Sequence, residues 1–434
     1  MDVLFQALQL NPQILRYLYL HIQQQYEGLK CTLFFYKYCF FIVLLSFSLN
    51  LKAEFLTLDS HIDIPFDYMT NPKHDPGNLT EMQVDFSKMK LGGLDSGFFI
   101  VYVEQSELTN SGYQNAQDLA KLKFNAIRKM TEKYSDKIIL ALNPGDIRRA
   151  KEEGKMSAAI GIENGYIIGN DITSLKSFYD LGARYITLSH IGHNQISDSS
   201  IPKKSLSDPL ERHGGLSFFG KRVISKMNEL GIMIDISHVS DKAAIQAIEL
   251  SETPVIASHS SVRALANHPR NLSDEIIKKI AKKRGVIQVV AFSSYIEVNL
   301  KRNNAINDLR EFIANLKGDK NFIYKKHSKT KEYKIKMNEI NKDFPLPDVN
   351  YFIDHIDYIV NLVGIDFVGI SSDFGGGGGI DGWMDASQTN NISSALLNRG
   401  YSNDDIKKIW SENFLRVWSD VDNHSKNTKQ NLSD

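Results

Sequence analysis

From residue 55 onward the chain alternates between short apolar, β-branched runs and longer stretches whose apolar residues recur at helical spacing. The runs are Phe55–Asp63 (FLTLDSHID), Gly97–Val103 (GFFIVYV), Ser157–Glu163 (SAAIGIE) and Tyr185–His190 (YITLSH). They continue with Ile232–His238 (IMIDISH), Pro254–Ser260 (PVIASHS), Gly285–Ala291 (GVIQVVA) and Phe367–Asp373 (FVGISSD). Between them, the pattern predicts helices over stretches such as Ala116–Lys133, Leu175–Leu181, Gly220–Leu230, Lys242–Leu250 and Asp274–Lys283. Strand and helix in alternation imply a parallel sheet. Eight such units over about 320 residues predict an α/β fold, a single (β/α)₈ barrel of the TIM type.

Six of the eight runs close on a metal-competent or titratable residue: Asp63 after His61, Glu163, His190, His238, His259 and Asp373. A barrel gathers its strand ends at one mouth, so residues far apart in sequence would meet around one cavity. An open doubly wound sheet would draw its site from only the few strand ends beside its switch point. Two regions break the rhythm. Residues 300–346 are rich in Lys and Asn and are expected to form a helical insert between the seventh and eighth strands. The insert reads as a solvated excursion over the mouth, with a basic binding patch as the second reading. Residues 421–434 are polar and are expected to be a frayed tail, leaving 54–420 as the barrel domain.

Residues 1–53 follow a different pattern. Lys30 and Lys37 precede an apolar stretch of 13 residues from Cys39 to Leu51, and Ala53 offers a small residue for cleavage. That is the order of an export signal. A membrane span needs roughly 20 apolar residues, so an uncleaved anchor is the second reading. The protein is expected to be exported: periplasmic, extracellular or membrane-anchored.

Composition narrows the chemistry. The 434 residues include 51 Lys+Arg and 51 Asp+Glu, with 42% hydrophobic and 24% charged residues. Zero net charge argues against a protein built to grip nucleic acid, and the apolar fraction argues against disorder. The only two cysteines, Cys31 and Cys39, lie in the N-terminal segment. The barrel therefore has no disulfide framework, no thiolate metal site and no cysteine nucleophile. Its chemistry must come from His, carboxylate, Ser, Lys and Tyr, and the 12 histidines are the first to place.

His61 and Asp63 occupy alternate positions of one strand, so both project to the same face and can reach one ion. Taken singly, each candidate has a plainer reading. Glu163 before Asn164-Gly165 would cap a turn, and His238 and His259 would be hydrogen-bonded core residues. Taken together, three imidazoles and two carboxylates at the ends of four strands would be costly to bury without compensation. Two divalent cations would supply it. His and carboxylate without thiolate suit Zn²⁺ in a catalytic site, with Mn²⁺ or Co²⁺ also fitting. Two metals about 3.5–4 Å apart, bridged by a carboxylate and a hydroxide, provide a strong nucleophile at neutral pH.

The other strand-end groups suit substrate handling. His190 would donate to the oxygen of a tetrahedral intermediate, with His193 as its rival. Asp373 would protonate a leaving amine. The glycines Gly375 to Gly379 lack the Lys-Ser/Thr of a phosphate-binding loop and read as a flexible loop at the mouth. Arg270 precedes a helix whose expected cap is Ser273, and its guanidinium fork matches a substrate carboxylate.

These residues lie in stretches that resemble the membrane (renal) dipeptidase family of zinc peptidases. The stretches are DSHIDIPFD at 59–67, GIENG at 161–165, YITLSH at 185–190 and GGLSFFGKRVISKMNELGIMIDISHVSD at 214–241. They continue with PVIASHSSVRALANHPRNLSDE at 254–275, DHIDYIVNLVGIDFVGISSDF at 354–374 and RGYSNDDIKKIWSENFLRV at 399–417. The resemblance implies a (β/α)₈ barrel with a two-zinc centre hydrolysing dipeptides, often with a D-residue at the C-terminal position. By motif, His61 and Asp63 would bind one zinc, His238 and His259 the other, and Glu163 would bridge them. His190 and Arg270 would hold the substrate and Asp373 would assist proton transfer. The family's usual SDFDG is Ser372-Asp373-Phe374-Gly375-Gly376 here, so an acidic residue beside the site is missing.

The expected activity is metal-dependent hydrolysis of dipeptides. The alternatives are a barrel amidohydrolase acting on another amide, against which HxD and Glu163 speak, and a catalytically silent surface binding protein. The expected partners are the dipeptide, the membrane through residues 1–53, and a second copy of the chain in a homodimer. Nucleic acid is not expected.

Overall fold

The computed structural model describes residues 55–431, so the export or anchor segment 1–53 lies outside the described residues. The strands are β1 (Leu58–Asp63), β2 (Ser96–Tyr102), β3 (Ile138–Leu140), β4 (Met156–Glu163) and β5 (Ala183–Thr187). Then come β6 (Met233–Asp235), β7 (Ile256–Ala257), β8 (Val286–Val290) and β9 (Val368–Ser371). All pairings are parallel, in the order β1-β2-β4-β5-β6-β7-β8-β9. Each of the eight expected runs overlaps one strand of this path. β3 was not expected. It pairs with β4 at Met156–Ala158, and β5 takes over that edge from Ile160.

The barrel is nearly closed. Between β1 and β9 side chains replace most of a ladder. Asp63 N–H donates to Phe374 O at 2.7 Å, the Asp59 carboxylate accepts from Ser372 N–H at 3.0 Å, and Ser60 Oγ donates to Ile370 O at 3.3 Å.

The outer helices begin where their sequences offer a cap. Ser217, Ser240 and Ser273 each accept from the third residue of Phe218–Leu230, Asp241–Leu250 and Asp274–Lys282. Ser240 follows His238 by two residues, so the cap that starts this helix also fixes the loop bearing the histidine.

The lower barrel is filled by Leu58, Phe98, Tyr185, Met233, Ile256 and Val286 from six strands, against Phe414, Trp418 and Val421 of the helix Asn413–Asn431. The Phe98 ring lies 5.1 Å from Phe414 and 5.3 Å from Trp418. This plug corrects the expected frayed tail: the helix runs to Asn431, with Val421 and Ser425 buried and Ser425 Oγ donating to Glu229 O at 2.7 Å. With the bottom sealed, the open end is the one where the strands terminate.

Between β8 and β9 the chain forms the helices Leu300–Leu316, Tyr324–His327 and Lys331–Asp343. Leu309, Ile313 and Tyr333 make a small core of their own. Among the described residues no helix is long and apolar enough to cross a membrane.

Candidate metal centre

Because every barrel strand points the same way, the ends of β1, β4, β5, β6, β7 and β9 share one mouth. There the structure brings together His61, Asp63, Glu163, His190, His238, His259 and Asp373. Glu163 Oε1 is the hub. It lies 3.0 Å from His238 Nε2, 3.3 Å from His259 Nε2, 3.6 Å from His190 Nε2 and 3.7 Å from His61 Nε2. His61 Nε2 lies 3.5 Å from Asp63 Oδ2 and 4.0 Å from Asp373 Oδ1. Three donor triads result: His61–Glu163–His259, Glu163–His190–His238 and His61–Asp63–Asp373, the ligand atoms of each within 4.8 Å of one another.

The imidazoles are oriented from behind. Tyr185 Oη donates to Ser60 O at 3.0 Å, so it accepts from His61 Nδ1–H at 2.9 Å. That leaves the His61 Nε2 lone pair facing the cluster, buried and without a hydrogen-bond partner. Tyr185 reaches this place because its register partner on β4 is Gly161, where a Cβ would come within 2.3 Å of the phenol ring. His259 is treated alike. Ser258 Oγ donates to Asp235 Oδ2 at 2.6 Å and so accepts from His259 Nδ1–H at 2.7 Å. Asp235 is itself fixed by Thr187 Oγ1 at 2.5 Å and by the amides of Ser237 and Ser258 at 3.0 and 2.9 Å. Hydrogen-bonded imidazoles backed by a carboxylate are the usual support of a metal site.

Three residues here adopt the left-handed region: Asn164 (φ 83°), His238 (φ 69°) and Asp373 (φ 57°). Such conformations cost about 1–3 kcal/mol and gather at functional sites. Each follows a strand and turns the chain sharply at the mouth. Asn164 is pinned by its own side chain, which donates to Val103 O at 3.1 Å and accepts from Tyr166 N–H at 3.2 Å.

Electrostatics matches a cation-binding cluster. Burial alone would lift the Glu163 carboxyl, but His190, His61, His238 and His259 outweigh it and hold it well below the usual carboxylate range. Burial, with Arg270 and His190 next to His238 and His61 next to His259, pushes both of these imidazoles well down, so they are neutral donors. His61 is the opposite case. Burial lowers it, but Glu163 and Asp63 overcome that and raise it, so proton and cation compete for its Nε2. Burial, with Asp63 and Glu163, lifts Asp373 well above an ordinary carboxyl. Orphaned nitrogen, neutral imidazoles and clustered carboxylates fit a divalent metal.

The substrate candidates sit around this cluster. His190 packs 4.1 Å from the His238 ring and 4.7 Å from Tyr102. His193, its rival, is a structural residue. Its Nε2–H donates to Pro209 O at 2.9 Å and its Nδ1 accepts from Ser199 N–H at 3.0 Å. Arg270 is buried. It donates to His259 O at 2.8 Å and Ser260 Oγ at 3.3 Å, lies 5.3 Å over the Tyr295 ring, and has a buried Nε with no partner.

Tyr102, Tyr185, Asp235 and Tyr295 were not singled out in the sequence. Tyr102 ends β2 and the rule of strand ends would have found it. The other three act through contacts made only once the barrel closes.

Comparison with known proteins finds similar chains among dipeptidases. The model of the membrane dipeptidase family (peptidase family M19) matches residues 45–432. Dipeptidase tcpJ of Claviceps purpurea is 27% identical over 369 residues, covering 84% of this chain and 75% of that protein. The crystal structure of the probable dipeptidase PvdM from Pseudomonas aeruginosa superposes with a TM-score of 0.77 at 32% identity, covering 87% of this chain and 98% of that one. A metallopeptidase from Rhodobacter sphaeroides, solved with a phosphinate mimic of L-Ala-D-Ala, shares the fold with a TM-score of 0.66 at 20% identity, over 85% and 99% of the two chains.

Proposed function

Because the chain belongs to the membrane dipeptidase family, we propose that it is a metal-dependent dipeptidase acting on dipeptides with a free C-terminal carboxylate. The observation that carries this reading is the position of one oxygen. Glu163 Oε1 has the Nε2 atoms of His61, His190, His238 and His259 within 3.7 Å. A carboxylate so surrounded at a barrel mouth is placed to serve as a metal ligand and supports the bridging role over a turn cap. In this assignment His61 and Asp63 would hold one Zn²⁺, His238 and His259 would hold a second, and Glu163 would contribute to both, with Mn²⁺ or Co²⁺ as substitutes.

Metal bound there supplies a water nucleophile at neutral pH and polarises the scissile carbonyl. The protein's own residues do the rest. Arg270 binds the substrate carboxylate, with its unpartnered Nε–H among the donors and Tyr295 holding the guanidinium plane. His190 donates to the carbonyl oxygen as negative charge develops on it. Asp373 delivers a proton to the leaving amine nitrogen. Tyr185 and the Ser258–Asp235 pair keep His61 and His259 in the tautomer that presents Nε2. A D-residue at the C-terminal position and export through residues 1–53 belong to the same proposal.

The deciding experiment joins a metal count to a dipeptide panel. Protein purified without chelator should carry close to two metals per chain and cleave L-Ala-D-Ala or L,L dipeptides. Glu163→Gln should lose metal and turnover together. One metal or fewer, with no hydrolysis after added Zn²⁺, would refute the reading.

A further inference from the structure

Asp373 and Phe374 are followed by five glycines, Gly375 to Gly379, a run with no side chains to fix it and the greatest conformational entropy to lose. A side chain from far upstream fixes it instead. Gln83 Oε1 accepts from Gly375 N–H at 2.8 Å, and its Nε2 donates to Gly378 O at 2.9 Å and Met384 O at 2.8 Å. The Gln83 carbonyl accepts from Ala386 N–H at 2.9 Å. Gly376 and Gly378 in turn donate to Asp373 O at 3.1 and 2.9 Å, so the loop closes back on the residue whose own backbone is left-handed.

Gln83 is held on a rigid support. Asp85 caps the helix Phe86–Gly92 through Lys88 N–H at 2.9 Å and accepts from Thr80 N–H at 3.1 Å. Lys88 Nζ donates to Thr80 O at 2.7 Å and Met82 O at 2.6 Å. On the far side of the run, Gly379 N–H donates to Ala291 O at 2.8 Å, which ties that end to the strand β8 edge. Gln83 is therefore the side chain that ties Gly375 and Gly378 to the rest of the molecule, beside the loop's own bonds to Asp373 O.

We infer that Gln83 is a positioning residue: it splints the glycine loop and so keeps the Asp373 carboxyl aimed at His61 and the reacting centre. This rests on the assignment of Asp373 to proton transfer. Without the amide, Gly375 N–H and Gly378 O turn to water, and the turn that holds Asp373 at positive φ is left with only its own bonds to Asp373 O and the Phe374–Asp63 closure.

The test uses the full chain loaded with Zn²⁺ and L-Ala-D-Ala as substrate. Gln83→Ala should lower kcat by roughly tenfold or more while KM moves by less than about threefold. Amide exchange over Gly375–Gly378 should quicken by about tenfold, with the segments bearing His61 and His259 unchanged. A kcat within about twofold of wild type, or unchanged exchange in the loop, would overturn the inference. Gln83→Glu adds a sharper readout, because an ionised carboxylate accepts from Gly375 N–H but cannot donate to Gly378 O and Met384 O as the amide does. At pH of about 7.5, far above the ordinary Glu pKa of about 4.3, its kcat should fall at least about threefold below wild type, and a wild-type kcat would count against the splint. In an Asp373→Asn background, Gln83→Ala should cost less than about twofold more, whereas a fully additive loss would break the link to Asp373. Wild-type protein without dipeptide turnover would defeat the functional reading alone, since loop exchange tests the splint without substrate.

Discussion

His238 Nε2 and His259 Nε2 lie 2.8 Å apart, with Glu163 Oε1 3.0 and 3.3 Å away. The His259 Nδ1 proton is committed to Ser258, so its Nε2 presents a lone pair to the other two donors. Neither imidazole takes up an extra proton readily at this depth, and the half-buried Asp63 and buried Asp373 carboxyls add to the demand for positive charge. A divalent cation meets that demand, so it should stabilise the fold as well as supply chemistry. Chelation should lower the thermal midpoint and Zn²⁺ should restore it. With free metal a hundredfold above Kd, linkage gives about 2.7 kcal/mol. Equal midpoints for stripped and zinc-loaded protein would argue that no metal centre exists here.

Asp235 touches no metal candidate directly, yet it aligns Ser258 and through it His259. Asp235→Asn keeps the shape but puts an amide where the carboxylate accepts from Thr187 and Ser258. Metal affinity should fall about 10- to 100-fold, the usual cost of losing such a support. Titration of the stripped protein with Zn²⁺ measures this, and an unchanged affinity would show that Ser258 alone orients the ring.

How much of this was legible in the sequence follows from where each interaction is made. His61 and Asp63 could be paired from alternation along one strand. Glu163, His190, His238, His259 and Asp373 could be grouped because parallel strands must end together. β3 was missed because three residues, Ile138–Leu140, are too short to show a period. The choice between His190 and His193 depended on the loop after β5, which folds His193 inward onto Pro209. Tyr185 and Gln83 act across 124 and 292 residues, on partners set only by barrel closure and by a glycine loop's path. The C-terminal helix was hidden by its polar face, since only Val421, Asp422 and Ser425 of its later turns are buried.

Arg270 donates to His259 O and Ser260 Oγ and keeps a buried Nε–H with no partner, which a substrate carboxylate could meet. Arg270→Ala should weaken substrate binding by about 1.5–3 kcal/mol, a rise in KM of roughly 10- to 150-fold. The effect should be confined to dipeptides with a free carboxylate and vanish with dipeptide amides. Equal losses on both substrates would show a packing role beneath Tyr295 instead.

His268, beside Arg270 in the same loop, provides a pH signature. Burial, reinforced by Arg270 and Arg263, lowers its pKa from 6.5 to about 4. The unfolded chain therefore binds this proton at higher pH than the folded one. Stability is full above about pH 6.5, falls as pH drops through the window, and loses no more below about pH 4. His268→Gln removes the titration, so its stability relative to wild type should improve progressively on acidification from about pH 7 to pH 4.5. Denaturant midpoints at several pH values measure this, and a pH-independent gap between the two proteins would refute the burial of a neutral His268.

Gly375 stands where the family's usual motif carries Asp, and the backbone explains why restoring the acid should fail. Its φ is +83°, and a Cβ there would come within 2.4 Å of Asp63 O, on the strand that bears the first metal candidates. An Asp in this conformation pays about 1–2 kcal/mol for the left-handed backbone before any clash. The clash adds a displacement of β1 at Asp63, whose N–H closes the barrel onto Phe374 O. Its N–H must also keep the bond to Gln83 Oε1, which leaves little room to rotate away. Gly375→Asp should therefore lower both the thermal midpoint and kcat, whereas Gly379→Ala, at the far end of the run, should leave kcat closer to wild type. The far position meets only Gln83 Nε2 and the flexible Met384 side chain at 3.4 Å or more, so its cost is backbone strain alone. A Gly375→Asp protein as stable and active as wild type would mean that the loop can adopt a second path past Asp63.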